Sequence, residues 1–200
     1  MAAFDGAWHE RPPYTQVYHG ARFWSHLAKN RTADHAAAIT QMAMELFGGL
    51  GFLEEYAIAR WHREALITPI WEGPANIQAL DMLEAMARKQ AHEAFAAETV
   101  KLLEAAGTQE AGMTRERLEA TLGTLSGIRD REQAEWVSKN ALQVLADAGS
   151  VAQLYALAES SGARYAKLAQ LYALRFLAHE EYPAWAGQDP ELFSLATESF

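Results

Sequence analysis

The sequence predicts an all-α protein, a helical bundle, and three observations carry the prediction. Ala, Leu, Glu, Gln and Arg are abundant, and these residues lose least on entering a helix. The Val–Ile–Thr alternation that marks half-buried strands is nearly absent. Apolar side chains instead recur at helical steps, with Phe23, Leu27, Ile39, Met42, Leu46 and Phe47 as an early run. With 200 residues, 50% of them hydrophobic, the chain can bury one real core or two small ones.

Each element then has its own signal. Residues 1–14 read as loop, with Gly6 and the Pro12-Pro13 pair. A helix is expected from about Thr15 to Phe47, with a polar interval at Lys29–Asp34 as a candidate break. Gly48-Gly49-Leu50-Gly51 ends it, because glycine supplies the left-handed caps on which helices stop. Residues 51–72 read as a helix and loop closed by Pro69 and Gly73-Pro74. One long helix is expected from Ala75 to Ala106, stopped by Gly107. Thr108–Met113 reads as a linker, and Thr114 as the cap of a short helix to Leu125. Gly127 breaks the chain again. Asp130 and Gln133 have capping-box spacing and open a helix to Ala148, ended by Gly149. Ser150 opens a last helical stretch to about Glu181, with Ser160-Ser161-Gly162 as an interruption and Pro183 as its stop. Trp136, Tyr155, Tyr165, Tyr172 and Phe176 are expected in a core or interface, and the tail with Trp185, Pro190 and Phe193 is expected to dock or remain solvated.

Bulk properties exclude several functions. The chain has 26 acidic and 17 basic residues and a net charge of −9. Residues 1–90 carry 8 basic and 10 acidic side chains, and residues 91–200 carry 9 and 16. An acidic second half repels phosphate backbones, so nucleic acid is not an expected partner. No cysteine is present, which removes disulfides, thiolate catalysis and cysteine zinc sites. Seven histidines (His9, His19, His26, His35, His62, His92 and His179) include no HExxH pair, and no metal site is expected. No P-loop, dinucleotide fingerprint or nucleophile elbow occurs. No apolar run nears membrane-spanning length and the N-terminus lacks a leader pattern, so a cytoplasmic location is expected.

The unusual features concentrate in one stretch. It holds Gly48-Gly49-Leu50-Gly51-Phe52, then Arg60-Trp61-His62-Arg63-Glu64-Ala65, then Ile70-Trp71-Glu72-Gly73-Pro74-Ala75-Asn76. A double glycine lets another molecule approach the backbone, though alone it is most often a helix cap. Glu72 lies between an aromatic residue and a tight turn, a setting that suits a general base. A glutamate before a helix is more often a dipole partner. The combination says more than each part.

Spaced as they are, GGxGFxxE, RxxREA and IWEG resemble the closing signature of the acyl-CoA dehydrogenase family. IWEG, the following Asn76 and Leu80-Asp81-Met82-Leu83 resemble its adaptive-response, AidB-type branch most closely. The resemblance covers roughly residues 21–86. It implies a C-terminal helical domain at residues 1–106, with residues 107–200 as an additional helical region packed on it. It implies FAD as cofactor, acyl-CoA as substrate, and α,β-dehydrogenation in fatty acid metabolism. Residue by residue, it implies Glu72 as catalytic base, and Gly73 as the residue that lets thioester and flavin come close. Gly48 and Gly49 match the backbone that contacts the diphosphate–adenine part of FAD, and Asn76 stands where many members keep a Gln that reaches FAD. Arg63 and Glu64 match a structural pair; Glu55 and Tyr56 match family positions without a catalytic role. Family members assemble as dimers and tetramers, so a homo-oligomer is expected.

Departures qualify these expectations. Pro74 replaces a Thr that hydrogen-bonds flavin, Glu45 stands where many members have Gln, and Glu84 stands where the branch has Arg. A complete member carries an N-terminal helical domain and a middle β domain before this region, and nothing before residue 20 can supply the β domain that holds the flavin ring. The isolated chain is therefore expected to be inactive until another chain completes the site. The alternative is a non-catalytic helical oligomerisation or interaction protein derived from the same fold, and a nucleic-acid-associated protein ranks last.

Overall fold

In the computed structural model, residues 9, 11–179, 183, 186 and 189–192 are described, and those in regular structure are all helical. Helix α1 (Gln16–Leu46) runs 31 residues. Its buried side chains are Ala21, Phe23, His26, Leu27, Asn30 and Ala33, which recur at helical steps and form one stripe. The expected break at Lys29–Asp34 does not occur. That interval contains neither Gly nor Pro, Asn30 and Ala33 belong to the buried stripe, and the Thr32 hydroxyl donates back to the Ala28 carbonyl at 2.7 Å.

The helix stops at the glycines. Gly48 takes φ +61°, and residues Gly48–Phe52 form a 3-10 turn. Gly51 is buried, and a Cβ there would collide with the Met44 backbone carbonyl. That glycine serves close approach to the end of α1. Helix α2 (Ala57–Ile67) buries Ile58, Ala59 and Ala65, and α3 (Ala75–Lys89) buries Gln78, Ala79, Met82 and Met86; both lie against α1.

The long helix expected over residues 75–106 is two helices. Gln90 adopts φ +50° and its N–H bonds the Met86 carbonyl, ending α3 with Arg88 and Lys89 in its last turn. Helix α4 (Ala91–Ala106) starts immediately after. Gln seldom takes the left-handed region, so no local residue announced this stop.

The chain divides into two compact units, residues Met1–Ala91 with Arg131–Gln143, and His92–Asp130 with Val144–Phe200. In the second unit, α5 (Gln109–Gly127) begins five residues before the expected Thr114. Thr108 is its cap, accepting from the Ala111 N–H at 3.1 Å, and Thr114 is buried inside it with its hydroxyl on the Glu110 carbonyl. Helix α6 (Arg131–Ser161) runs 31 residues through Gly149 without the expected stop. Gly149 is buried within the helix, and its sequence neighbours Ala146, Ala148, Val151 and Ala152 are buried with it. Gly162 at φ +114° ends α6; α7 (Arg164–Ala173) continues into a π-turn (Leu174–Ala178) that stops at His179, φ +59°.

The core of the second unit joins Leu103, Ala111, Val151, Ala152, Tyr155, Ala169, Ala173 and Leu177. Half of these are alanine, which lets helix backbones approach closely. Tyr172 donates to Asp147 at 2.7 Å, and its ring meets Phe176 at a tilt of 47°. Lys167 holds Asp189 at 2.6 Å and Glu191 at 2.8 Å, tying residues 189–191 to α7. In the first unit, Trp136 is 88% exposed and not in a core. Trp185 and residues 193–200 lie outside the described residues.

Tyr155 yields a pH prediction. Burial pushes its phenol up from its usual value near 10, although the hydroxyl meets Thr108 Oγ1 at 2.6 Å. A raised folded value gives stability that is complete below the unfolded value and lost as pH rises through the folded one. The second unit should lose stability above about pH 10. Urea midpoints measured from pH 8 to 11 should show the loss, and Y155F should flatten it.

Candidate functional site

Glu72 sits in a turn that the surrounding side chains hold in an unusual conformation. After α2 ends, the Ile70 and Trp71 N–H groups both bond the Ile67 carbonyl, at 3.0 and 2.9 Å. Glu72 then takes φ +53° and Gly73 φ +95°. A non-glycine residue in the left-handed region costs about 1–3 kcal/mol unless its surroundings determine it. Two donors do so here. Gln78 Nε2 donates to the Glu72 carbonyl at 2.9 Å, and Lys29 Nζ donates to the Gly73 carbonyl at 2.6 Å. Gly73 is favoured by its φ of +95°, and a Cβ there would stand 2.8 Å from Gln78 Nε2 and press on that amide.

The turn borders a groove of about 380 Å³ lined by Lys29, Thr32, Ala33, Ala36, Thr68, Trp71 and Glu72. Both Trp71 and Glu72 are exposed, Trp71 to 68%. The aromatic residue that precedes the carboxylate in the sequence is thus itself open to solvent. Pro74 precedes α3, and Asn76 lies exposed in the first helical turn. Glu72, Gly73 and Asn76 thus share one short segment. Gly48 and Gly49 lie apart from it in sequence, at the end of α1. Both are exposed, and a Cβ at either would meet nothing within 4 Å, so their backbone is open to another molecule.

The neighbouring residues are structural. Arg63 donates both guanidinium nitrogens to Glu54, at 2.8 and 2.9 Å. Arg63 beside Glu54 holds that carboxyl below its usual range, but both side chains are exposed and the pair adds little stability. His62 Nδ1 hydrogen-bonds Thr40 Oγ1 at 3.0 Å. Sequence reading missed Lys29, His26 and Gln78, which shape the turn. The available signal was spacing: His26 and Lys29 lie three residues apart on α1, on one face, and Gln78 follows Glu72 by six. Among the described residues, no group of three or more metal-ligating side chains comes together, and no helix is long and apolar enough to cross a membrane.

Comparison with known proteins points one way. Residues 19–87 match the family model of the acyl-CoA dehydrogenase C-terminal domain. The chain is 38% identical over 63 residues to a 3-methylmercaptopropionyl-CoA dehydrogenase of Ruegeria pomeroyi, a match covering 32% of this chain and 11% of that one. It is 43% identical over 54 residues to a short-chain specific acyl-CoA dehydrogenase of Megasphaera elsdenii, covering 27% and 14%. AidB of Escherichia coli is 38% identical over 71 residues, covering 36% and 13%. A solved structure described as Bd2924 apo-form superposes with a TM-score of 0.58 at 28% identity, covering 74% of this chain and 27% of that one. The matched stretch is thus a small part of each curated relative's length.

Proposed function

Since residues 19–87 belong to the acyl-CoA dehydrogenase family as its C-terminal helical domain, we propose that this chain contributes the catalytic base and part of the cofactor surface to a flavin-dependent acyl-CoA dehydrogenase. The observation that carries the reading is the Glu72 turn, a carboxylate held at φ +53° by Gln78 and Lys29 at the edge of a groove. Left-handed strain that the surroundings actively maintain is a mark of functional positions. Glu72 takes the α-proton of the acyl thioester, and Gly73 at φ +95° permits the turn that presents it.

The residues present fit one part of FAD. Gly48 and Gly49 offer open backbone for its diphosphate–adenine portion, and the exposed Asn76 amide offers a donor and an acceptor. FAD supplies the hydride acceptor when bound. The described residues include no strand, and none of them is assigned here to the pocket of the flavin ring. The residues of this reading, Gly48 to Asn76, all lie in the first unit.

Association is part of the reading. Leu46 is 89% exposed, Phe52 80%, Ile70 67% and Trp61 60%, all in the first unit. Large apolar side chains left this exposed are candidates for burial against another chain. The chain should form a homo-oligomer, and the double variant L46D/F52D should run as a monomer by light scattering. The same surface favours the second reading, a non-catalytic association module. Absorbance separates the two. A sample taken from its natural assembly, or offered FAD together with the β-domain polypeptide, should be yellow; a colourless sample that takes up no FAD supports the module.

A further inference from the structure

We propose that His26 and Gln78 are positioning residues that fix the left-handed Glu72 turn and so set the direction in which its carboxylate leaves the backbone. Its functional consequence rests on the reading of Glu72 as base; its conformational content does not.

His26 is 8% exposed and Gln78 7%, so their polar atoms are expected to be paired. Gln78 spends its amide nitrogen on the Glu72 carbonyl, at 2.9 Å. Its oxygen is then the end that faces His26 Nδ1, at 2.8 Å. An amide oxygen only accepts, so Nδ1 carries the hydrogen and donates. His26 Nε2 has no partner, nor has Asn30 Oδ1 one helical turn further along α1. The imidazole therefore makes its one hydrogen bond to Gln78.

The direction of these bonds shows what they serve. A helix N-terminus presents unpaired N–H groups, and a capping side chain accepts from them. Gln78 lies in the first turns of α3, yet its side chain donates to a carbonyl upstream of the helix. It serves the turn and not the helix. The Gln78 amide also fills the space beside Gly73, where a Cβ would stand 2.8 Å away. Lys29, three residues after His26 on the same face of α1, holds the next carbonyl. Helix α1 thus grips two consecutive carbonyls, one directly and one through Gln78.

The test uses the full chain and five variants, without flavin or acyl-CoA. The readouts are the backbone carbon chemical shifts of Glu72, which report the sign of its φ, and the melting temperature. Q78M and H26L should lose the left-handed signature at Glu72. H26N should keep it, because an asparagine amide places an N–H where Nδ1–H stood. E72G should raise Tm by about 2–4 °C in the native background, since glycine relieves the φ strain. The same substitution in the Q78M background should give no gain. If H26L fails to fold, the Q78M pair still decides. An unchanged Glu72 signature in Q78M, or an equal E72G gain in both backgrounds, overturns the proposal. In the assembled enzyme, Q78M should lower kcat about 100-fold with KM held. Because the conformational readouts involve no chemistry, they stand or fall apart from the role of Glu72 as base.

Discussion

Phe23→Ala should cost the first unit about 3–5 kcal/mol, the range for deleting a fully buried aromatic ring. Phe23, Leu27, Met82 and Ala79 are all 0% exposed, and they form the interior from which α1 and α3 are positioned. A loss of that size is a large fraction of a small unit's total stability. It also reaches the site, because His26 and Lys29 ride on the same helix and hold the Glu72 turn. Chemical denaturation followed by circular dichroism measures the loss. Trp136→Ala is the control. That side chain is 88% exposed, and its removal should change stability by no more than about 0.5 kcal/mol. A Phe23→Ala loss under about 1 kcal/mol would mean that the first unit is not organised around this interior.

Glu72→Gln should lower turnover of the assembled enzyme by about 10²–10⁴-fold, the usual contribution of a general base. Glutamine keeps the length and shape of the side chain, and nothing in the turn's grip on the Glu72 and Gly73 carbonyls involves the carboxylate. The substitution therefore removes the proton acceptor and leaves the turn. Steady-state kinetics on an acyl-CoA substrate, with circular dichroism to verify the fold, separates lost chemistry from lost structure. Turnover unchanged within about threefold would remove Glu72 from the mechanism, since no general base is that dispensable.

The fold class was legible because helical periodicity is a local signal. The end of α1 at Gly48 and the break at Gly162 were legible for the same reason, since glycine marks left-handed stops. The stop at Gln90 was not, because a left-handed Gln reflects its surroundings and not its propensity. Gly149 misled in the opposite direction. It lies buried inside α6 and is not among the glycines with positive φ, so its conformational freedom is not used there. Thr108 and Thr114 show the limit of capping signals, for both are plausible caps and only the first accepts from the helix.

The site divides similarly. The segment from Ile70 to Asn76 was legible as a motif, and the structure gathers Glu72, Gly73 and Asn76 there. What the motif could not reveal is the strain at Glu72 and the residues that maintain it. Lys29 and His26 come from more than 40 residues upstream, and their role exists only once α1 lies against α3.

The most direct test of the account is the flavin spectrum of the natural assembly on addition of an acyl-CoA, with the native chain and with E72Q. The account predicts a flavin absorbance band that acyl-CoA bleaches in the native assembly. It predicts the same band in E72Q, without bleaching. A colourless assembly, or bleaching of equal rate and extent in both, would contradict it.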